Sequence, residues 1–253
     1  MVSISQAVDL GPIDTLVLAC AIVFVAYYIK GLSGFGTAMI LVPTFAVLYD
    51  PATGITITTL FDMIAGCMLL ASVWKRIDWK FVIPILAVFL PGAYLGVYLM
   101  KSFPQDILKD VLGAGLIAYI VLLVGNDRLR VPAALGKILG RLLWPVAFVA
   151  GFGGGLLGIS GPLLVGYLKL LHRKTYFRDQ VIGILAFGAV WRFGLYRWNA
   201  VGMNVEAGSL VIMLICMAAA SWVGSRHHYR VPEMAFNRVV AAMLLVPTVK
   251  LFW

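Results

Sequence analysis

Long apolar runs dominate the chain, and short stretches between them carry most of its polar and charged residues. A stretch of about 17 to 25 apolar residues is typical of a transmembrane helix. The pattern predicts ten helical segments, at residues 13–29, 35–48, 53–73, 80–99, 106–124, 141–157, 160–171, 179–196, 206–224 and 234–252. Almost no chain remains for a soluble domain, so we expect an all-α membrane protein.

The composition supports this fold class. Hydrophobic residues make up 62% of the 253 residues and charged residues only 12%, whereas about a quarter of an ordinary soluble domain is charged. The three cysteines (Cys20, Cys67 and Cys216) are far apart in apolar stretches, which fits neither a disulfide framework nor a metal site. We therefore expect no metal and no cofactor.

The basic residues indicate how the chain is threaded through the membrane. Segments 35–48 and 160–171 are too short to cross, since they reach about 21 and 18 Å against a hydrocarbon core of about 30 Å. They either re-enter or begin partway across. Short cytoplasmic loops collect Lys and Arg. If all ten segments change side, one face holds 15 of the bases and the other holds 5, namely Lys101, Lys109, Arg192, Arg197 and Lys250.

If the two short segments turn back instead, the bases divide evenly and the orientation signal vanishes. We therefore predict ten side-changing elements with both termini outside. In this interpretation Lys30 belongs to the cytoplasmic face. No basic residue precedes Lys30, so we also expect no cleavable signal peptide.

The two halves of the chain resemble each other. Gly31-Leu-Ser-Gly-Phe-Gly matches Gly155-Leu-Leu-Gly-Ile-Ser at an offset of 124, and each is followed by a short apolar segment. An offset of 128 then pairs Gly96 with Gly224 and Pro104 with Pro232. Five elements per repeat is an odd number, so the second copy enters the membrane from the opposite face. This pattern is typical of inverted-repeat secondary transporters.

Glycine-rich breaks inside a bilayer are tolerated only where they pack in protein or line a wet cavity. The chain has two such glycine-rich stretches, at residues 31–36 and 151–162, and each would leave the N-terminus of a short helix facing the interior. Helix N-termini carry free N–H groups and a partial positive charge, so two of them facing one cavity form an anion site. The alternative interpretation is close helix packing through small residues.

The two glycine-rich motifs resemble those of a known membrane-protein family. GLSGFGTAMILVP (residues 31–43) and GGGLLGISGPLLVGYL (residues 153–168) resemble the paired signatures of the sulfite exporter TauE/SafE family, and the resemblance covers nearly the whole chain. It implies an exporter or permease for sulfite, organosulfonates or related small sulfur anions. On the matching positions, the substrate-binding region that it implies comprises Gly34, Gly36, Thr37, Ser160, Gly161 and Pro162.

Two charged residues lie within predicted membrane segments. Asp62 is near the middle of segment 53–73, where an unpaired carboxylate costs at least about 2.5 kcal/mol, so it should be protonated, paired or facing water. It either carries a coupling proton or gates the site, or it accepts hydrogen bonds from a broken helix. Arg192 either snorkels to the interface or clamps a substrate oxyanion. An ion pair between Asp62 and Arg192 that opens during transport is a further hypothesis.

These observations predict a first transmembrane repeat at residues 1–125, a cytoplasmic connecting loop at 126–140 and a second, inverted repeat at 141–253. We expect a transporter in the bacterial inner membrane that moves a small sulfur oxyanion by alternating access. The alternatives are an anion channel on the same architecture and a carrier for small carboxylates. The chain has no phosphate-binding loop or HExxH motif, so we expect neither an ATP-driven pump nor an enzyme. The expected partners are the lipid bilayer and no nucleic acid; a homo-oligomer is compatible with the sequence.

Overall fold

A computed structural model describes residues 12–33, 36–104, 136–171 and 174–226, with the six further residues 107, 108, 110, 111, 113 and 114. Within these residues the secondary structure is entirely helical, and no strand occurs. Most of predicted segment 106–124 and all of segment 234–252 lie outside the described residues.

Eight α-helices and one 3-10 turn form the described bundle. They are α1 (Pro12–Ser33), α2 (Thr37–Leu48), α3 (Pro51–Val73), the 3-10 turn (Trp74–Arg76), α4 (Trp79–Ser102), α5 (Gly136–Leu157), α6 (Gly161–Leu171), α7 (Lys174–Trp198) and α8 (Ala207–Arg226). Each α-helix corresponds to a predicted segment, and the observed ends differ from the predicted ends by up to five residues. The largest differences are in α5 and α7, which each begin five residues early; α5 thus begins inside the predicted connecting loop.

Among the described residues, four helices are long and apolar enough to cross a membrane: α1, α3, α4 and α8. Their outward faces expose large apolar side chains, with exposed fractions of 62% for Val17, 59% for Ile83 and 64% for Ile215. A soluble protein rarely exposes contiguous apolar surface of this kind. The chain is therefore a multi-pass membrane protein whose outer surface faces lipid.

Helices α3 and α7 cross the centre of the bundle side by side and run antiparallel. Gly66 in the middle of α3 packs against Ala186 of α7. Near the end of α3, the amide oxygen of Gln180 accepts a hydrogen bond from the Asp78 backbone N–H at 2.9 Å. At the opposite end, Asn204 donates its backbone N–H to the Thr53 hydroxyl at 3.1 Å. We call the end where α3 begins end A and the end where α7 begins end B.

The most extensive helix pairs join the two halves of the chain: α4 with α5, and α1 with α8. Each pair is parallel and in backbone contact. A Cβ on Gly92 or Gly96 of α4 would overlap the backbone of α5, and a Cβ on Gly151 or Gly155 of α5 would overlap that of α4. Small residues let helix backbones approach this closely in membranes.

The glycines therefore divide into two groups. Gly31, Gly151 and Gly155 lie within helices and pack against a neighbouring helix, as the small-residue alternative predicted. Gly36 and Gly158 lie at the breaks and have φ angles of 104° and 73°, a left-handed conformation that favours glycine. Of the glycine-rich stretch 151–162, residues 151–157 belong to α5, as segment 141–157 predicted, and residues 158–160 interrupt the helices.

Candidate functional site

A cavity lies at the two breaks, and the first turn of α2 forms one of its walls. Gly36, Thr37, Ala38 and Met39 line it. Gly36 occupies the N-cap position, and no side chain caps the helix there. The first N–H groups of an α-helix have no partner within the helix. The start of α2 therefore presents N–H groups that have no partner within the helix, and a partial positive charge, to the cavity.

The start of α6 forms a second wall of the same cavity. Gly158, Ser160 and Gly161 line it, and Gly161 is the first residue of α6. The cavity offers about 30 Å3 to the centres of water-sized molecules. This is room for at least one water, and a small ion suits a cavity of this size.

Asp62 is the acceptor of a hydrogen-bond cluster at the first break. Its Oδ1 accepts from Lys30 Nζ at 2.5 Å, from the Thr37 hydroxyl at 2.6 Å and from the Tyr27 hydroxyl at 3.0 Å. Lys30 and Tyr27 belong to α1, and Thr37 opens α2. The carboxylate on α3 therefore joins the two helices that flank the first break.

Arg192 has the corresponding position at the second break. Its side chain donates to the carbonyl oxygens of Gly188 at 3.2 Å, Gly154 at 3.0 Å and Gly158 at 3.4 Å. Tyr196, one turn further along α7, donates to the Gly155 carbonyl oxygen at 2.7 Å. A guanidinium thus holds the end of α5 in place, as the Asp62 carboxylate holds the end of α1.

These contacts bear on three expectations from the sequence. Asp62 forms its ion pair with Lys30, whereas Arg192 bonds to backbone carbonyls, so Asp62 and Arg192 are not paired in this conformation. Lys30 is 7% exposed and lies in the last turn of α1, so it does not belong to a cytoplasmic loop. Arg192 is only 2% exposed, which excludes snorkelling to the interface.

The cavity carries an excess of positive charge. Lys30 and Asp62 neutralise each other, so the guanidinium of Arg192 leaves one formal positive charge. The N-termini of α2 and α6 each add roughly half a charge. Buried cations and free backbone N–H groups stabilise an anion with little screening by solvent.

Most of the predicted site residues meet at this cavity. Its walls include Gly36, Thr37, Asp62, Ser160, Gly161 and Arg192. Pro162 is the second residue of α6, and Gly34 lies outside the described residues. The sequence did not identify Lys30, Tyr27 or Tyr196. Tyr27 and Lys30 are three residues apart, a spacing that places two side chains on one face of a helix and brings both to Asp62.

The comparisons with known proteins give one match. A family model described as "Sulfite exporter TauE/SafE" matches residues 19–251. No curated protein and no solved structure matches the chain. The family match covers nearly the whole chain, as the resemblance of the two glycine motifs implied.

Proposed function

Because the chain belongs to the sulfite exporter TauE/SafE family, we propose that it is a secondary transporter for a small sulfur oxyanion, either sulfite or an organosulfonate, and that it acts as an exporter. The observation that carries this proposal is the cavity shared by the N-termini of α2 and α6. The backbone N–H groups of Thr37 and Gly161, the Ser160 hydroxyl and the Arg192 guanidinium are the donors proposed for the oxyanion. Gly34 and Pro162 complete the proposed substrate-binding set.

The proposed architecture is a pair of inverted repeats. The internal match pairs Gly31 with Gly155 and Gly96 with Gly224. These glycines make reciprocal contacts: Gly31 packs on Gly224, and Gly155 packs on Gly96. Helices α3 and α7, the third elements of the two repeats, run antiparallel, as inversion requires. Both observations support two related halves of opposite orientation around a central site.

We further propose that the inverted-repeat arrangement supports transport by alternating access. Each repeat contributes one broken helix and one charged residue of its third helix to the cavity, Asp62 in the first and Arg192 in the second. Movement of the α1–α8 pair against the α4–α5 pair would expose the cavity at end A and then at end B. The glycine-lined pairs α1–α8 and α4–α5 would move as units, since each is locked by backbone contacts.

We place the transporter in the bacterial inner membrane with end B in the cytoplasm. The exposed bases Lys75 and Arg76 are at end B with the start of α4, and α8 ends there with Arg226. Lys101 and Arg197, at the ends of α4 and α7, are at end A. Positive charge favours the cytoplasmic side. Both chain termini would then be outside.

Counterflow in proteoliposomes tests the transport proposal. Vesicles preloaded with unlabelled sulfite should accumulate external radiolabelled sulfite transiently, at a rate that saturates with concentration. Saturable counterflow supports a carrier, whereas single-channel currents without counterflow would favour an anion channel. The Arg192→Gln variant, reconstituted at the same density, is the matched control.

Thermal unfolding in the presence of candidate ligands tests the substrate class. Sulfite, thiosulfate and sulfoacetate are compared with simple carboxylates at millimolar concentration. A ligand at a hundred times its dissociation constant stabilises the folded state by about 2.7 kcal/mol. Stabilisation by carboxylates alone would contradict the sulfur-anion proposal and favour a carboxylate carrier.

A further inference from the structure

The ammonium group of Lys30 lies in the cavity, paired with Asp62 and near the Tyr27 ring. This group is at the end of a flexible four-carbon side chain. Both Lys30 and Asp62 line the cavity that α2 and α6 face. An ammonium has three donors, and the contact with Asp62 Oδ1 uses one of them. Arg192, in contrast, is fixed by three backbone carbonyls. Of these two cations, Lys30 is therefore the one that can turn toward an arriving anion.

We propose that Lys30 is shared between Asp62 and the transported anion, so that an anion binding in the cavity draws Lys30 away and Asp62 takes up one proton. This inference rests on the proposed function and extends it to the coupling ion. A buried carboxylate that loses its cation is unstable as an anion, because the interior does not solvate it. Uptake of a proton from water restores its neutrality.

The surroundings of Asp62 fit this exchange. Among the described residues, the titratable and charged groups around it besides Lys30 are Tyr27 of α1 and Arg192 of α7, and Thr37 of α2 adds a hydroxyl. The charged residue of α8, Arg226, stacks on the Trp222 ring. Tyr27 and Thr37 remain as hydrogen-bond partners after Lys30 has moved, so the carboxyl group keeps its position in either protonation state.

The charges balance through one cycle. The empty cavity holds Lys30, Arg192 and ionised Asp62, with a sum of one positive charge. The cavity loaded with a monoanion and one proton holds the same total, because the proton and the anion cancel. Transport of a monoanion is therefore electroneutral, and its net direction follows the sum of the anion and proton gradients. An outward anion gradient that exceeds an opposing proton gradient gives export.

Proton release or uptake on binding is the direct test. Calorimetric titration of the full-length protein with sulfite, in two buffers of different ionisation enthalpy at pH 6, gives the number of protons taken up per anion. Sulfite itself binds protons near neutral pH. This proton uptake by the ligand is the same for the Asp62→Asn variant, which therefore serves as the reference. We expect the wild type to take up about one proton more than Asp62→Asn per sulfite bound. Over the range where this uptake is complete, the wild-type Kd should rise about tenfold per pH unit.

The Lys30→Met variant separates shared use of Lys30 from a purely structural ion pair. Without its cation Asp62 is already protonated, so we expect no linked proton uptake and at least a tenfold weaker sulfite affinity, as for the loss of a charged hydrogen bond. Asp62→Asn should bind sulfite at least as tightly as the wild type at neutral pH, because it leaves Lys30 available. The double variant Lys30→Met with Asp62→Asn removes both members of the ion pair and should bind like Lys30→Met.

The outcomes distinguish this inference from the proposed function. Sulfite binding to the wild type with no proton difference from Asp62→Asn overturns the sharing of Lys30 and leaves the anion site intact. Equal weakening of binding in Asp62→Asn and Lys30→Met also overturns it, since a structural pair predicts that result. Absence of sulfite binding to the folded wild type overturns the proposed function and this inference together.

Discussion

Gly31 of α1 and Gly224 of α8 are in backbone contact: a methyl group added to Gly31 would lie 2.8 Å from the Cα of Gly224. The second pair of helices repeats this relationship, because a methyl group on Gly96 would meet the Cα of Gly155 at 3.0 Å. The residues that align the two halves of the sequence are thus the residues through which the halves touch. These positions need glycine because the helix backbones touch there, and substitution by a larger residue tests this requirement.

Substitution of a contact glycine should destabilise the fold. We expect Gly31→Ala and Gly155→Ala each to lower the free energy of unfolding by about 1–3 kcal/mol, because the added methyl group forces helix backbones apart. Gly208→Ala is the matched control, since nothing lies within 4 Å of its Cβ position and alanine favours a helix. Thermal unfolding of the purified protein in detergent measures the effect. A Gly31→Ala protein as stable as Gly208→Ala would contradict the packing role.

Removal of the Arg192 guanidinium should affect both stability and transport. Arg192→Gln loses hydrogen bonds to the carbonyls of Gly154 and Gly158, which should cost about 1–3 kcal/mol. It also removes the excess positive charge of the cavity, so sulfite counterflow should be lost. Arg192→Lys keeps the charge without the planar fork, and we expect partial counterflow with little recovery of stability. Wild-type counterflow in Arg192→Gln would show that the cavity needs no cation at this position.

Strain at the first break should weaken ligand binding. Gly36 has a φ of 104°, and an alanine there costs about 1–2 kcal/mol or shifts the start of α2. We expect Gly36→Ala to raise the sulfite Kd several-fold, measured by calorimetric titration. Gly202→Ala is the control, because its φ is ordinary and the nearest atom to its Cβ position is 3.8 Å away. An unchanged Kd in Gly36→Ala would indicate that the start of α2 does not contribute to sulfite binding.

The proposed orientation predicts which ends of the helices are reachable from outside the cell. In a variant without the three native cysteines, a single cysteine replacing Lys101 at end A should react with a membrane-impermeant maleimide on intact cells. A cysteine replacing Lys75 at end B should react only after permeabilisation. Both side chains are exposed, so the difference reports sidedness. The opposite labelling pattern would invert the proposed topology.

Much of the described fold could be predicted from the sequence, because long apolar runs have few structural solutions in a bilayer. The short elements α2 and α6 were predicted from their length and the glycines before them. The packing role of Gly151 and Gly155 could not be predicted, since a glycine-rich sequence fits a helix wherever a neighbouring backbone packs against it. Gly151 and Gly155 are helical for this reason.

The partner of Asp62 was also beyond the sequence. Lys30 follows a run of aromatic and apolar residues, which made it resemble an interfacial base that ends a membrane segment. Helix α1 continues to Ser33, and this extra turn keeps Lys30 within the bundle. There Lys30 forms an ion pair with Asp62 of α3. Such a pair depends on how α1 packs against α3. Local periodicity predicts helices but not which of their faces meet.

The central claim, that an oxyanion binds between the N-termini of α2 and α6, is tested most directly by the crystal structure of the protein with selenite, the selenium analogue of sulfite. Anomalous scattering locates selenium independently of the protein density. The account predicts one peak in the cavity lined by Thr37, Gly161 and Arg192, with oxygens within hydrogen-bond distance of the backbone N–H groups at the two helix starts. A selenite peak at the protein surface alone, with this cavity empty at a saturating concentration, would contradict it.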